Sequence, residues 1–186
     1  MSRTWLFGYG SLVSPVSLAS TIGRDPGDGM HVAHVAGFGR RWNYGSKVLR
    51  GDWVHDGRNI VGGLVVSLGI AAAEDEACNG VVFDVDDDEL AALDWRERDY
   101  ERVDITDVTT VDVDRFDGQV QVYVPRPSSI ERYELARNEG RAAIRQSYWT
   151  LVEDAFASLG GHHAEWYART PPPDIPVADI KLHPLN

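Results

Sequence analysis

The run LFGYGSL at residues 6–12 constrains this chain more than any other stretch. The apolar residues before its first glycine predict a buried strand, which the glycines end. Ser14 followed by Pro15 predicts a helix start, because a capping hydroxyl precedes a proline at the first helical position. A strand, a glycine turn and a helix N-terminus in succession leave unpaired backbone N–H groups facing one spot. We therefore predict a cradle for a carboxylate, a phosphate or a developing oxyanion.

The same glycines are also typical of a tight turn that binds nothing, and the sequence of the run leaves this alternative open. A nucleotide is a poorer candidate. The dinucleotide fingerprint needs a third glycine where this chain has Val13, and a P-loop would end in Gly-Lys-Ser or Gly-Lys-Thr. The predicted cradle is therefore not assigned to a nucleotide.

The composition favours one soluble domain, residues 1–186, and we expect no domain to precede the glycine run. The formal net charge of −11 argues against nucleic acid as a partner, because phosphate binding draws on a surplus of Lys and Arg. The single cysteine, Cys78, excludes an internal disulfide and fits a reducing compartment. No apolar run approaches the roughly 20 residues of a membrane span, and the N-terminus does not resemble a signal peptide. We predict a cytoplasmic protein without a membrane partner and make no prediction of its oligomeric state.

Hydrophobic periodicity and turn residues predict the remaining elements. Helices are predicted at residues 14–22 and 86–95, and in a region after Ser128 whose apolar face runs from Ile144 to Leu159 and stops at Gly160-Gly161. Strands are predicted at 31–35, 60–68 with a bulge at Gly62-Gly63, 80–85, 103–113 and 119–124, the last two joined as a hairpin by Asp117-Gly118. Irregular segments are predicted at 23–29, at 37–44 as an exposed loop, at 50–59, at 71–79 as a loop or brief helix, and from Thr170 as an extended surface tail. Without a regular βαβ repeat, the sheet is predicted to be mixed and largely antiparallel.

Two groups of residues could suggest a metal, but their spacing excludes it. Counted from Asp84, a calcium-binding loop needs glycine at its sixth position and glutamate at its twelfth, where Glu89 and Trp95 stand. These acids instead predict a helix start that complements the helix dipole. The adjacent His162 and His163 cannot share one helical face, and no cysteine or third histidine is near them. No metal is predicted.

Two motifs make the chain resemble the γ-glutamylcyclotransferase superfamily, most closely its ChaC-like branch. The hexapeptide FGYGSL at residues 7–12 is similar to the binding-loop motif of that family. Leu-Asp-x-Arg-Glu at residues 93–97, followed by Tyr100, is similar to its catalytic motif. Residues 37–42 and 80–83 also match, and the resemblance runs from about residue 4 to about residue 168.

The resemblance implies an α+β fold in which helices flank a mixed, largely antiparallel β-barrel that carries the active-site cavity. It implies a cofactor-independent enzyme of lyase or acyltransferase type that cleaves a γ-glutamyl amide. The α-amine of the substrate attacks its own γ-carbonyl, and 5-oxoproline is released. On this basis Glu97 is the expected acid and base. The expected substrate-binding residues are Tyr9, Gly10, Ser11, Leu12, Tyr100, Tyr123 and Tyr133.

The residue chemistry agrees with this reaction. Because the nucleophile belongs to the substrate, no Ser–His or Cys–His pair is needed, and none stands out in the sequence. Between Trp95 and Tyr100, Glu97 is expected to be partly desolvated, which would raise its pKa. The alternative is an exposed Glu97 that forms an ion pair with Arg96 or Arg98.

The substrate is expected to be glutathione or another γ-glutamyl peptide or amino acid. Residues 71–79 and the tail after Gly160 match no pattern of the family and are candidates for shaping the leaving-group pocket. Arg40 or Arg41 is a candidate contact to a substrate carboxylate, since arginine binds carboxylates in a bidentate manner. Two alternatives from other classes remain. One is a non-catalytic γ-glutamyl-binding or regulatory module, and the other is a γ-glutamylamine cyclotransferase or amidotransfer enzyme that uses the same pocket.

Overall fold

One mixed sheet carries the fold, and the computed structural model describes it through residues 4–113 and 115–184. Its strands are β1 (Thr4–Gly8), β2 (Met30–His55), β3 (Arg58–Val85), β4 (Tyr100–Asp104), β5 (Thr109–Val111), β6 (Gln119–Pro125), β7 (Ala142–Arg145), β8 (Val177–Ala178) and β9 (Lys181–Leu182). The α-helices are α1 (Pro15–Ile22), α2 (Asp87–Arg96), α3 (Pro127–Asn138), α4 (Gln146–Ser158) and α5 (Gly161–Tyr167). Short 3₁₀ turns lie at Ser11–Val13, Gly27–Gly29 and Thr106–Val108.

The strands follow the order β4-β6-β1-β3-β2-β5, with β7 beside β3, β8 beside β7 and β9 beside β2. The pairs β1–β6, β3–β7 and β7–β8 are parallel, and the other pairs are antiparallel. The predicted class, an α+β fold with a mixed and largely antiparallel sheet, is confirmed. Closure into a barrel remains a prediction, as does the single domain 1–186, whose residues 1–3, 114 and 185–186 lie outside the description.

A long bent hairpin of β2 and β3 forms the centre of the sheet. Its two-residue turn is Asp56-Gly57, where both residues have positive φ angles of 49° and 73°. Asp-Gly is the preferred sequence for such a turn. The predicted loops at 37–44 and 71–79 are wrong, because they belong to these two strands, and of the predicted irregular segment 50–59 only Asp56-Gly57 is a turn. Shifts in the register between β2 and β3 accommodate the glycines that indicated loops. One of these shifts, between the pairs Gly51–Gly63 and Trp53–Ile60, confirms the bulge predicted at Gly62-Gly63.

The predicted hairpin between residues 103–113 and 119–124 is also wrong. Strand β4 does pair with β6, but β5 pairs with β2, where Val111 faces Ala33. The chain turns away after β4 because the Asp104 carboxylate accepts a hydrogen bond from the Thr106 amide, at 2.9 Å. The Asx turn that results separates two segments whose apolar alternation predicted a single strand.

Strand β7 interrupts the helical region that the apolar face from Ile144 to Leu159 predicted. Ile144 lies in β7, fully buried, and α4 begins two residues later. The tail from Thr170 is likewise more than a surface segment. It adds β8 and β9 to the sheet and buries Ile175 and Ile180.

The core joins the first strand to the helices that carry the site. Leu6, Phe7, Leu18, Leu93 and Phe156 are almost fully buried and belong to one hydrophobic cluster. They come from β1, α1, α2 and α4, so burial of these side chains fixes where the glycine run and the end of α2 meet. No helix among the described residues is long and apolar enough to cross a membrane.

The close approach of β1 and β3 predicts the effect of a single methyl group. A Cβ at Gly80 would collide with the carbonyl oxygen of Gly8, which cannot move without breaking the strand pair. We expect Gly80→Ala to lower the free energy of unfolding by about 1–3 kcal/mol, as overpacking does in cores. Urea unfolding measures this. The matched control is Gly161→Ala in α5, where a Cβ would meet nothing within 4 Å. Equal stability of the two variants would contradict the packing described.

Candidate active site

The glycine run ends β1 and passes directly into α1. Ser14 caps α1 by accepting a hydrogen bond from the Ser17 amide at 3.3 Å, and a proline follows in the first turn, so the predicted helix start is confirmed. The intervening 3₁₀ turn is closed by bonds from Val13 N to Gly10 O and from Ser14 N to Ser11 O. Among the described residues, the amides of Ser11 and Leu12 have no acceptor. They remain available to a ligand.

Gly10 allows a side chain to lie directly against this loop. A Cβ at this position would lie 3.1 Å from the hydroxyl oxygen of Tyr148, a contact tighter than nearly all that real Cβ atoms make. Tyr148 comes from α4, more than 130 residues along the chain. The glycine therefore has a packing role beyond the turn itself.

Two adjoining cavities open beside the loop. The larger is a cleft of about 530 Å³, and the smaller is a pocket of about 40 Å³ that lies against the glycine run. Four residues line both cavities: Ser11, Glu97, Tyr100 and Tyr148. The pocket is completed by Phe7, Gly8, Tyr9, Gly10, Leu12, Leu68 and Tyr123. The structure thus brings together every predicted site residue except Tyr133.

Glu97 lies at the C-terminal end of α2, where its amide donates to the carbonyl of Leu93 at 2.8 Å. Its side chain is 15% exposed, and its Oε1 lies 3.0 Å from Nε of Arg96. Burial raises the pKa of Glu97, and the charge and hydrogen bond of Arg96 oppose this rise without cancelling it. The alternative of an exposed Glu97 in an ion pair is therefore right about the pairing with Arg96 and wrong about the exposure.

Arg96 connects the two motifs. Its guanidinium donates to Oγ of Ser11 at 2.9 Å and to Oγ1 of Thr21 at 2.7 Å. It also donates to the carbonyl of Ser17 at 3.2 Å and to the hydroxyl of Ser17 at 3.3 Å. One side chain therefore ties the end of α2 to both the glycine loop and α1.

The other residues of the second motif also have defined contacts. Asp86 and Glu89 form a capping box at the start of α2, which confirms the predicted helix. Leu93 is fully buried in the core. The Asp94 carboxylate accepts a hydrogen bond from the Tyr123 hydroxyl at 2.8 Å. Asp94 thus fixes a tyrosine that lines the pocket, which explains an acid at this position of the motif.

Buried and half-buried tyrosines surround Glu97. The hydroxyl of Tyr9 donates to the carbonyl of Tyr123 at 2.8 Å, and that of Tyr100 donates to the carbonyl of Leu68 at 3.3 Å. Tyr44 stacks on Tyr100 with ring centroids 4.2 Å apart. Burial raises the pKa of Tyr9, Tyr100 and Tyr148, and the nearby carboxylate of Glu97 raises each further. These hydroxyls are therefore neutral hydrogen-bond donors at physiological pH.

The structure places Tyr133 elsewhere. Its hydroxyl donates to Oδ1 of Asp174 in the tail at 2.5 Å, and the guanidinium of Arg137 lies 5.7 Å from its ring centroid. Burial and the neighbouring carboxylate raise the pKa of Tyr133 to about 12. The Asp174 contact directs this tyrosine toward the tail, so it lines neither cavity.

Arg40 is buried at 4% exposure, which contradicts the exposed loop expected from the sequence. It donates to the carbonyl of Tyr9 at 2.8 Å and to Oγ1 of Thr170 at 3.0 Å, and it lies 4.5 Å from the ring centroid of Phe156. Arg41 forms an ion pair with Glu76. Neither arginine lines the two cavities beside Glu97. Arg40 instead supports the glycine loop through its hydrogen bond to the carbonyl of Tyr9.

The sequence did not assign a site role to Tyr148. Its position on the apolar face of α4 indicated a core residue, and no local signal links it to either motif. Tyr44, Lys47 and Arg145 also line the larger cleft without having been singled out for it. Within residues 4–113 and 115–184, no group of three or more metal-ligating side chains occurs.

Several solved structures are similar to this chain in fold. One γ-glutamyl cyclotransferase is 15% identical, with 92% of this chain and 90% of that chain covered and a TM-score of 0.55. A yeast γ-glutamyl cyclotransferase specific to glutathione is 14% identical, with 91% and 96% covered and a TM-score of 0.58. An uncharacterized human protein is 14% identical, with 94% and 91% covered and a TM-score of 0.59. At these identities the likeness shows the fold alone.

The family follows from a sequence match. The model of the family described as ChaC-like protein matches residues 4–144, which span the glycine loop, α2 and three tyrosines of the pocket, Tyr9, Tyr100 and Tyr123. The chain therefore belongs to the ChaC-like family, and the resemblance seen in its two motifs is confirmed. No curated protein matches the chain in sequence.

The contacts of Arg96 predict that its loss loosens the glycine loop. Hydrogen bonds to charged groups contribute about 1.5–3 kcal/mol each when buried, and this side chain is 27% exposed. We expect Arg96→Met to cost about 1–3 kcal/mol in urea unfolding. We also expect faster hydrogen exchange at the amides of Val13 and Ser14, whose hydrogen bonds close the 3₁₀ turn. The control is Arg98→Met, since the Arg98 guanidinium is exposed and, within residues 4–113 and 115–184, donates only to the carbonyl of Trp95. Unchanged exchange in the Arg96 variant would contradict the linking role.

Proposed function

We propose that this chain is a γ-glutamylcyclotransferase that cleaves a γ-glutamyl amide and releases 5-oxoproline. The observation that carries the proposal is the position of Glu97. This buried carboxylate has a raised pKa and lines the same pocket as the glycine loop. An acid whose pKa is raised by burial, beside unpaired backbone amides, suits acyl transfer from an amide.

The glycine loop is proposed to hold the γ-glutamyl group. The free amides of Ser11 and Leu12 can donate to the γ-carbonyl oxygen as it becomes an oxyanion. Removing one donor from such a site typically costs about 10²–10³ in turnover. The neutral hydroxyl of Tyr148 lines the same pocket and adds a further donor. The neighbouring rings help to exclude water from the reacting carbonyl.

Glu97 is proposed to transfer the proton in two steps. The α-amine of the substrate arrives as an ammonium, so the Glu97 carboxylate first accepts a proton from it. The amine nitrogen then bonds to the γ-carbon and releases its second proton to solvent, and the tetrahedral centre collapses as the bond to the leaving nitrogen breaks. Protonated Glu97 gives a proton to that nitrogen. Proton transfer by a positioned group contributes about 10²–10⁴-fold.

Holding the substrate folded supplies a further part of the rate. The γ-glutamyl chain is flexible, and cyclisation needs its amine directly above its own carbonyl. Well-oriented intramolecular reactions reach effective molarities of about 10⁵–10⁸ M. A pocket as small as that beside the glycine loop favours a folded substrate over an extended one. No step requires a metal or an organic cofactor.

Glutathione or another γ-glutamyl peptide or amino acid is the proposed substrate. One solved structure of the same fold is described as specific to glutathione, and the ChaC-like motifs support the same class. We further propose a cytoplasmic location, supported by a single cysteine, Cys78, which is buried and free.

Substitution of Glu97 tests the mechanism. We expect the wild-type protein to form 5-oxoproline from glutathione, γ-glutamyl-alanine or γ-glutamyl-lysine. We expect Glu97→Gln to lower kcat by about 10²–10⁴-fold because the proton acceptor is lost, while substrate binding persists. Quantifying 5-oxoproline and measuring binding by calorimetry check both points. Glu101→Gln is the matched control, since Glu101 is exposed on β4. Full activity of the Glu97 variant would refute its role, and no 5-oxoproline from any donor would refute the function.

The raised pKa of Glu97 predicts the pH dependence. Glu97 must be ionised to accept the first proton, so kcat/KM falls as the pH falls through its pKa. Because burial raises that pKa, we expect the acid midpoint above the usual value of about 4.3. Arg96 lowers the pKa, so Arg96→Met is expected to move the midpoint further upward in a profile of kcat/KM against pH. A wild-type midpoint at or below 4.3, or a downward shift in the variant, would contradict this assignment.

A further inference from the structure

The outer part of the larger cleft carries positive charge. Lys47 and Arg145 line this cleft together with Glu97. The chain has a formal net charge of −11, so two cations without acidic partners at one cavity are unusual for it. Their positions are set by the fold rather than by flexible loops.

A large bulge in β2 places Lys47. Gly45 faces Val66 of β3 and Arg50 faces Leu64, so the four residues 46–49 stand opposite the single residue between them. The buried hydroxyl of Ser46 closes the bulge by accepting hydrogen bonds from the amides of Val48 at 3.3 Å and Leu49 at 2.9 Å. Bulges re-aim side chains and are frequent beside active sites. Lys47 and Val48 line the cleft as a result.

The same stretch of β3 positions Arg145. Strand β7 pairs in parallel with β3, and Val66 faces Ile144. Arg145 ends β7 and faces Ala178 of β8. Both cations are therefore held in place by residues 64–66 of β3, one through the bulge of β2 and one through β7.

Neither cation has an acidic partner. Within residues 4–113 and 115–184, no carboxylate lies within 4 Å of Lys47 or Arg145. The other charged groups of the cleft are already engaged. Arg96 pairs with Glu97, Asp99 lies 3.6 Å from Arg132, and Arg98 lies 5.0 Å from the ring centroid of Trp95.

We propose that Lys47 and Arg145 form a leaving-group subsite that binds a carboxylate of the departing amino acid or peptide. The inference rests on the proposed γ-glutamyl chemistry, which places the leaving nitrogen beside Glu97. In a γ-glutamyl amino acid the carboxylate is two bonds from that nitrogen, so it lies within the cleft that Glu97, Lys47 and Arg145 line. The subsite disfavours γ-glutamylamines, which carry no carboxylate there.

The expected gain in affinity for the carboxylate follows from the exposure of Lys47 and Arg145. Lys47 is exposed and Arg145 is half-buried, so solvent screens both charges. Exposed ion pairs contribute about 0.2–1 kcal/mol, which corresponds to a factor of up to about five for each cation. The carboxylate preference is also expected to weaken as salt is added, since the Debye length falls to about 8 Å at physiological ionic strength.

Equilibrium binding tests this separately from turnover. In the Glu97→Gln background, calorimetry compares γ-glutamyl-alanine with γ-glutamyl-alaninamide, which differ only in the carboxylate. We expect the carboxylate ligand to bind about five- to twentyfold more tightly at low salt. Lys47→Met and Arg145→Met are each expected to reduce this ratio about two- to fivefold, and the double variant should bring it near one. Lys47→Glu should favour the amide, a reversal that misfolding cannot produce. Lys181→Met is the matched control, because Lys181 is the only other lysine of the chain.

Equal affinity for the two ligands, or no binding of either, would overturn the subsite. A ratio unchanged in the double variant would overturn it as well. The proposed function is decided by a different result, the formation of 5-oxoproline by the wild-type protein. Turnover of both ligands at equal kcat/KM would leave that function standing and reject the subsite.

Discussion

The cleft depends on the guanidinium of Arg96, which bonds together parts of the chain that the hydrophobic core brings close. Ser11 and Arg96 are 85 residues apart in sequence and 2.9 Å apart in the structure. A planar group with several donors can bond the loop, α1 and Glu97 at once, which a lysine cannot do. The hydrophobic core brings the first strand and α2 together, and this one side chain sets their final alignment.

Two opposing effects act on Glu97. Burial favours its neutral form, while Arg96 favours the carboxylate, and burial has the larger effect. The folded protein therefore holds this proton more tightly than the unfolded chain does. The stability that Glu97 contributes is fully present below its unfolded pKa and is lost as the pH rises through its folded pKa. Near neutral pH this acid lowers stability, which is expected of a group placed for chemistry.

Local signals in the sequence predicted local features well. The Ser14-Pro15 cap, the acid-rich start of α2 and the grouping of the glycine run with Glu97, Tyr100 and Tyr123 all depend on short-range chemistry or on motifs. Strand pairing does not depend on short-range chemistry alone. The same Asp-Gly dipeptide forms a hairpin turn at 56–57 and does not form one at 117–118. The positions of Arg40 and Tyr133 outside the two cavities could not be predicted, because each is held by a partner distant in sequence, Tyr9 for Arg40 and Asp174 for Tyr133. The site role of Tyr148 could not be predicted, because a helix face that packs in the core and one that lines a pocket have the same periodicity in sequence.

The source of the oxygen in the product tests the central claim most directly. Wild-type protein is incubated with γ-glutamyl-alanine in water enriched in ¹⁸O, and the products are analysed by mass spectrometry. Attack by the substrate's own amine keeps the original carbonyl oxygen, so the account predicts unlabelled 5-oxoproline and free alanine in equal amounts. Glutamate carrying one ¹⁸O atom would instead show attack by water at the γ-carbonyl and would contradict the account.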